Sequence, residues 1–242
     1  MEGSTAVTME GAIREQVEDV VVRFAGDSGD GVQITGGQFT LTTALAGNDL
    51  STFPDFPAEI RAPQGTTFGV SAFQIHFGSR EIRTAGDSPD ILVALNPAAL
   101  KVNIADLSKG GLIIADSGSF TERNLKKAGY KDNPIEGSLV EGFRLITADI
   151  SKNTLEAVQE FGLSQKEALR CKNMYALGFV YWLYDRDRKP TTNWLKEKFS
   201  KRPEIANANI AAVNAGHAFG ETIEASGETS SYAVMPAKIE PG

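Results

Sequence analysis

Three glycines fall within six positions, Gly26, Gly29 and Gly31, in the run RFAGDSGDGVQITGGQFT. An apolar stretch (Val20, Val21, Val22, Phe24, Ala25) precedes them and a segment with helical spacing follows. Strand, glycine-rich turn and helix in that order can hold an anion. Glycine takes positive φ at no steric cost, backbone N–H groups approach the ligand, and the helix adds unpaired N–H groups and the positive end of its dipole. Donors of that kind are main-chain atoms, so the carboxylates of Asp27 and Asp30 need not touch the ligand. Ser28 supplies a hydroxyl, and Thr35 another one turn later. The same residues also fit a plain strand-to-helix turn in which Asp27 or Asp30 caps the helix. No Lys-Ser/Thr pair follows the glycines, so this is not a Walker A loop and nucleotide hydrolysis is not expected. The order G-x-x-G-x-G also departs from the G-x-G-x-x-G of dinucleotide folds. A dehydrogenase needs an acidic residue about 20 positions further on to hold the ribose. Asp49 is near that place but sits in GNDLSTFPDF, not at the end of a clear second strand.

Two other residues suit ligand binding. Arg61, in PAEIRAPQGTTFG, stands in a mostly uncharged stretch before a Pro-Gln-Gly turn. A guanidinium there reads a carboxylate or phosphate, or pairs with Glu59 or Asp55 as a structural group. Asn96, in ALNPAALK, falls where a strand gives way to a helix, and in open α/β sheets ligands bind beyond the C-terminal ends of strands. It also suits an N-cap with Pro97 at the first helical position, and both roles are compatible. His76, His217 and Cys171 lie far apart in sequence, with neither metal-ligand spacing nor a nucleophile–base pairing. By residue chemistry the chain reads as a binding domain with no catalytic residue and no metal site of its own.

The elements that would position these residues follow from periodicity. Strand-like runs recur at 20–25, 68–78, 91–96, 111–117 and 144–150. Those at 91 and 111 are nearly continuous Ile, Leu, Val and Ala, as in parallel strands buried on both faces. A short helix between them makes a βαβ unit. The expected fold is therefore α/β, a Rossmann-like, doubly wound and mostly parallel sheet. Residues 57–85 alternate and carry turn signals, which predicts an inserted antiparallel hairpin. C-terminal helices are expected at 164–184, 191–200 and 203–219. The first is apolar around much of its circumference, so it is central in the core or covered by a partner. Residues 1–18 read as a flexible tail, 19–222 as the folded domain and 223–242 as a linker.

A net charge of -7 and a pI near 5.0 argue against nucleic-acid binding as the main task. A single cysteine forms no internal disulfide and holds no iron–sulfur cluster alone, which fits a reducing, cytoplasmic setting. No apolar run is long enough to span a bilayer, and the acidic N-terminus is unlike a signal peptide.

The motifs VVVRFAGDSGDGVQITGGQFT, FPAEIRAPQGT, FGVSAFQI, GDSPDILVALNPAALKVNIADL and KNMYALG, in this order from about residue 19 to 222, resemble the gamma domain of 2-oxoacid:ferredoxin oxidoreductases. The Gly-Asp-Ser-Gly-Asp-Gly form of the loop is similar to the 2-oxoglutarate type, in which this domain is the N-terminal part of a longer alpha subunit. Aspartates replace the Gly-Gly-Gln-Gly of many pyruvate-type members. The resemblance implies CoA-dependent oxidative decarboxylation of a 2-oxoacid, reversible toward CO₂ fixation, with electrons passing to ferredoxin. It implies thiamine diphosphate, Mg²⁺ and a [4Fe-4S] cluster on partner alpha (pyrimidine-binding) and beta domains, and a share of the CoA site on this chain. A CoA phosphate would then meet the backbone of Gly29, Asp30 and Gly31 with help from Ser28. Gly26, Arg61 and Asn96 complete the residues carried over. A purely structural assembly role, or pyruvate-type specificity, is the alternative.

Overall fold

Two apolar runs, at 91–94 and 112–115, lie side by side at the centre of the protein because neither offers a polar face to water. The structure, a computed structural model, describes residues 5–9, 12–29, 31–59, 61–227 and 229–238. The chain opens with an antiparallel hairpin of β1 (Thr5–Met9) and β2 (Ala12–Gln16). This corrects the expectation of a tail over 1–18: TAVTM and AIREQ are polar enough to read as solvated, yet they pair with each other. Strands β3 (Asp19–Asp27), β4 (Asp49–Asp55), β5 (Val70–Gly78), β6 (Ile91–Ala94), β7 (Leu112–Asp116) and β8 (Arg144–Ala148) form one sheet in the order β4-β5-β3-β6-β7-β8. Strands β3, β6, β7 and β8 pair in parallel, whereas β5 is antiparallel to both of its neighbours.

The inserted antiparallel pair is therefore β4 with β5, and not a hairpin within 57–85. The segment GNDLSTFPDF, which offers no clear strand in sequence, forms β4 at the edge of the sheet, where the missing N–H of Pro54 costs no ladder bond.

The strands bury both faces. Val22, Phe24, Ile75, Phe77, Val93 and Ile114 belong to one apolar cluster, and their alternates Ala25, Leu92, Ala94, Ile113 and Ala115 to another. The first is covered by α1 (Val32–Leu45), the second by α2 (Pro97–Asn103) and α3 (Glu122–Ala128). The first face also carries α4 (Ile150–Ala157), α5 (Gln165–Leu169), α6 (Lys172–Leu183), α7 (Lys189–Lys198) and α8 (Pro203–Ala225). Helices on both faces make the sheet doubly wound, as expected.

The aromatic segment 164–184 is two helices, α5 and α6, broken at Arg170 and Cys171. Residues Asn173 to Leu183 are all buried because α8, α1 and α4 pack around α6. The two helices meet backbone to backbone. A Cβ added at Gly178 would fall on the Val213 carbonyl, and one added at Gly216 on the Tyr175 carbonyl.

The expected linker over 223–242 is corrected too. Helix α8 runs to Ala225, and β9 (Tyr232–Ala233) pairs in parallel with β2. The Tyr232 ring stacks on Tyr184 at 5.7 Å between centroids, and Asn48 Nδ2 donates to Met235 O at 2.7 Å.

Candidate functional site

Strand β3 ends at Asp27, and the chain turns through Gly29 (φ +92°) and Gly31 (φ +90°) into α1. Both φ values are in the left-handed region that favours glycine. Gly31 occupies the N-cap of α1, and among the described residues no side chain caps its first-turn N–H groups. Asp27 does not cap: its Oδ1 accepts from the Gly65 N–H at 3.0 Å, fastening the Pro-Gln-Gly turn to the loop. The backbone N–H of Ser28 donates to Gly69 O at 2.9 Å, and the residue is exposed. Asp30 lies outside the described residues. Gly26 has a packing reason to be glycine, since an added Cβ would stand 3.1 Å from Val32 Cγ2 and 3.3 Å from Leu95 Cδ1. At Gly29 an added Cβ would meet nothing within 4 Å, so this backbone faces open space. Thr35 Oγ1 is turned back along α1, where it donates to Gly31 O at 3.2 Å.

Asn96 is the N-cap of α2, its Oδ1 accepting from Ala99 N at 2.8 Å with Pro97 in the first turn. Its Nδ2 is buried and has no hydrogen-bond partner among the described residues. Arg61 is exposed on the loop between β4 and β5 and, among the described residues, forms no ion pair with Glu59 or Asp55. Neither Arg61 nor Asn96 lines the cavity that the glycine loop borders.

That cavity, of about 260 Å³, gathers the starts of three helices and the C-terminal ends of α5 and α7. Gly29, Gly31 and Ile34 bring the start of α1; Asn173 and Met174 bring the first turn of α6; Arg202, Ile205 and Asn209 bring the start of α8. Three positive dipole ends thus meet one hollow, opposed there by the negative ends of α5 and α7, so its preference for an anion rests on the cationic side chains. Arg170, Lys198 and Arg202 add three cations to its lining against one carboxylate, Glu167. In a chain of net charge -7 such a concentration of positive groups is local. Arg202 is shared by Glu167 at 3.0 Å and Glu204 at 2.8 Å. The Ser164 hydroxyl first, then Arg202, hold the Glu167 carboxyl below its ordinary range.

Helix α7 contributes Trp194, with Lys198 Nζ 4.6 Å from its ring centroid, and Phe199. Asn173 is 2% exposed, and among the described residues its Oδ1 has no hydrogen-bond partner. Cys171 also borders the cavity, but burial pushes its thiol up to about 11, so it is not a thiolate nucleophile near neutral pH. Arg170, Trp194, Lys198 and Arg202 had no signal in the sequence, because they lie on or at the ends of helices far along the chain from the loop. Asn173 had a signal, since KNMYALG carries it.

Among the described residues no group of three or more His, Cys, Asp and Glu is placed to hold a metal ion. Among the same residues, no helix is long and apolar enough to cross a membrane.

Comparison with known proteins gives this geometry a family. Over 229 residues the chain is 52% identical to the 2-oxoglutarate oxidoreductase subunit KorA of Mycobacterium tuberculosis, covering 95% of this chain and 35% of that protein. The chain thus spans about a third of the length of this curated relative. A 2-oxoglutarate:ferredoxin oxidoreductase from Magnetococcus marinus, solved with 2-oxoglutarate, coenzyme A and succinyl-CoA bound, matches with a TM-score of 0.69 at 24% identity. That match covers 92% of this chain and 34% of the other. The gamma subunit of a keto/oxoacid ferredoxin oxidoreductase from Geobacter sulfurreducens matches with a TM-score of 0.55 at 20% identity, over 84% of this chain and 99% of the other. At such identities the two structures attest the fold. Residues 21–219 match the model of the pyruvate ferredoxin/flavodoxin oxidoreductase family, and with the KorA likeness this means that the chain belongs to that family.

Proposed function

We propose that this chain is the gamma component of a 2-oxoglutarate:ferredoxin oxidoreductase and that the cavity beside its glycine loop holds part of the CoA cosubstrate. One observation carries the reading: the starts of α1, α6 and α8 and the cations Arg170, Lys198 and Arg202 converge on a single hollow. Phosphate groups suit such a place, because unpaired backbone N–H groups and guanidinium groups both favour oxyanions. The 2-oxoglutarate assignment is supported by the KorA relative, and the CoA assignment by the neighbour that has CoA bound.

In the overall reaction a 2-oxoacid loses CO₂, its acyl group becomes a thioester of CoA, and two electrons go to two oxidised ferredoxins. Thiamine diphosphate with Mg²⁺, and a [4Fe-4S] cluster, supply the decarboxylation and electron chemistry on alpha and beta partner domains. This chain's part is to bind and orient CoA, in the cytoplasm. Gly29 and Gly31 would present backbone N–H groups to a phosphate with Ser28 at the rim, and Arg170, Lys198 and Arg202 would face them. Asp30 belongs to this loop as well. Gly26 and Asn96 shape the frame, and Arg61 would meet CoA only where the ligand extends beyond the cavity.

Isothermal titration of CoA into the assembled enzyme tests the reading, with NAD as a control. Saturable CoA binding weakened by Gly29→Val and by Lys198→Ala is expected. No binding at millimolar CoA would return the loop to a plain turn.

A second role is supported by a separate observation. Phe53, Phe56 and Phe68 are 58%, 67% and 61% exposed at one end of the β4–β5 pair. Such apolar exposure suits assembly with a partner domain of the enzyme.

A further inference from the structure

We propose that the outer face of α1 seats an apolar helix from the partner domain that brings the acyl group to CoA, packed closely across Gly37. The identity of that partner rests on the CoA reading above, and the experiment below separates the two.

Helix α1 is VQITGGQFTLTTAL, without one charged residue, whereas α4, α6, α7 and α8 each carry at least one. A helix at the surface ordinarily turns charged or polar side chains to water. In α1 the exposed residues are Ile34, Gly37, Leu41, Ala44 and Leu45. Their spacing of three, four, three and one puts them on one side of the helix. The opposite side, with Val32, Thr35, Gly36, Phe39, Thr42 and Thr43, is buried. Beyond Leu45 the strip continues to Met235, also exposed, whose main-chain oxygen accepts from Asn48 Nδ2 at 2.7 Å.

Gly37 is the second observation. Its neighbour Gly36 lies against Phe73, where an added Cβ would run into the ring, but a Cβ on Gly37 would meet nothing within 4 Å. Nothing among the described residues calls for glycine there, and glycine inside a helix is unfavourable relative to alanine. The same chain shows what such a residue permits: at Gly178 and Gly216, α6 and α8 meet backbone to backbone. Gly37, within an apolar face, offers the same close approach to a helix from outside.

The occupant follows from what borders the face. Ile34 belongs both to it and to the wall of the cavity, so a body that covers the cavity rim also covers the first turn of α1. In the proposed reaction that body is the domain from which CoA takes the acyl group. Its contacting helix is apolar, because a charged side chain pressed onto α1 would lose its water without gaining a counter-charge. A face about 21 Å long and about 10 Å wide is well below the roughly 800 Å² that a stable interface takes from each partner. This favours a contact continuing over the cavity rim above two copies joined through α1 alone. In the KorA relative the matched stretch is 35% of the protein, so a domain of this kind there shares its polypeptide with a larger body. The strip is separate from the exposed phenylalanines: Phe53 pairs with Gln74, and the flanking Phe73 and Ile75 belong to the cluster under α1, so Phe53 projects from the other face of the sheet.

Sedimentation of this chain with its partner domains, urea unfolding and CoA titration test the proposal on two variants, Gly37→Ala and the pair Leu41→Ser with Leu45→Ser. Gly37→Ala should leave the unfolding midpoint of the chain unchanged or higher, yet weaken assembly about tenfold, the size of one misfitted packing contact. The serine pair, at exposed positions, should weaken assembly at least as much with a midpoint close to wild type. A role confined to this chain would not lower assembly while sparing the fold. Assembly indifferent to both variants would overturn the proposal and leave the CoA reading to its own titration. Dimers of the isolated chain that Gly37→Ala dissociates would overturn it by making the occupant a second copy. Sensitive assembly in a complex that binds no CoA would sink the CoA reading, and with it the stated partner.

Discussion

The side-chain amide of Asn173 faces Gly31: its Nδ2 stands 3.2 Å from the point that a Cβ on Gly31 would occupy. This close approach brings the start of α6 beside the start of α1, two of the helix ends around the cavity. Gly31 also has φ +90°, where an L side chain is strained. Gly31→Ala is therefore expected to lower stability by about 1–2 kcal/mol from backbone conformation alone. It should also weaken CoA binding by pushing Asn173 aside. Urea unfolding with parallel titration of CoA checks both effects. An unchanged midpoint with unchanged affinity would mean that the contact is incidental.

The crossing of α6 and α8 should tolerate even less. A Cβ at Gly178 would fall on the carbonyl of Val213, a backbone atom that cannot rotate away. Overpacking in a core costs about 1–3 kcal/mol where side chains can adjust, and here the backbone itself must move. Gly178→Ala should unfold the protein at markedly lower urea than wild type. By contrast Gly37→Ala, where an added Cβ meets nothing within 4 Å, should be neutral or stabilising. Denaturation midpoints for the pair separate the effect of close approach from that of helix propensity.

The unequal legibility of these features has a physical basis. The sheet was plain because Ile91–Ala94 and Leu112–Ala115 are apolar without interruption, a pattern only burial on both faces explains. The glycine loop was plain because its residues are contiguous. The cavity was not, because Arg170, Trp194, Lys198 and Arg202 come from three helices brought to the loop only by tertiary packing. Spacing along the chain carries no trace of that convergence. The terminal strands escaped for another reason: β9 has two residues, too few to show a period of two, and its stability comes from Tyr232 against Tyr184. Tyr232→Ala tests this account. Removing a buried aromatic costs about 3–5 kcal/mol, which a true linker would not register. Thermal unfolding of the variant reads out the difference.

Cys171 gives a pH-dependent prediction. Burial disfavours the thiolate and pushes the thiol up to about 11. Between pH 7 and 9 the native protein should then resist alkylation by iodoacetamide, and reactivity should rise only toward pH 11 or on unfolding. The direction follows from the chemistry, since the thiolate is the reacting form and its fraction grows as pH approaches the raised value. Rapid labelling at pH 8 under native conditions would show that the floor of the cavity opens readily.

The exposed phenylalanines carry the last prediction. Phe53 sits on the edge strand, while Phe56 and Phe68 flank the loop after it, where the Glu59 N–H donates to Phe68 O at 3.4 Å. None of the three supports the core, so replacing them with serine should leave the unfolding midpoint of this chain close to wild type. If they cover a partner domain, the triple variant should lose affinity for it, because apolar area removed from water contributes about 25 cal/mol per Å². Analytical ultracentrifugation of the chain with its partners reads the loss directly. Assembly that is indifferent to all three substitutions would move the interface to another face of the sheet, and the free edge of β4 would then need another explanation for its aromatic side chains.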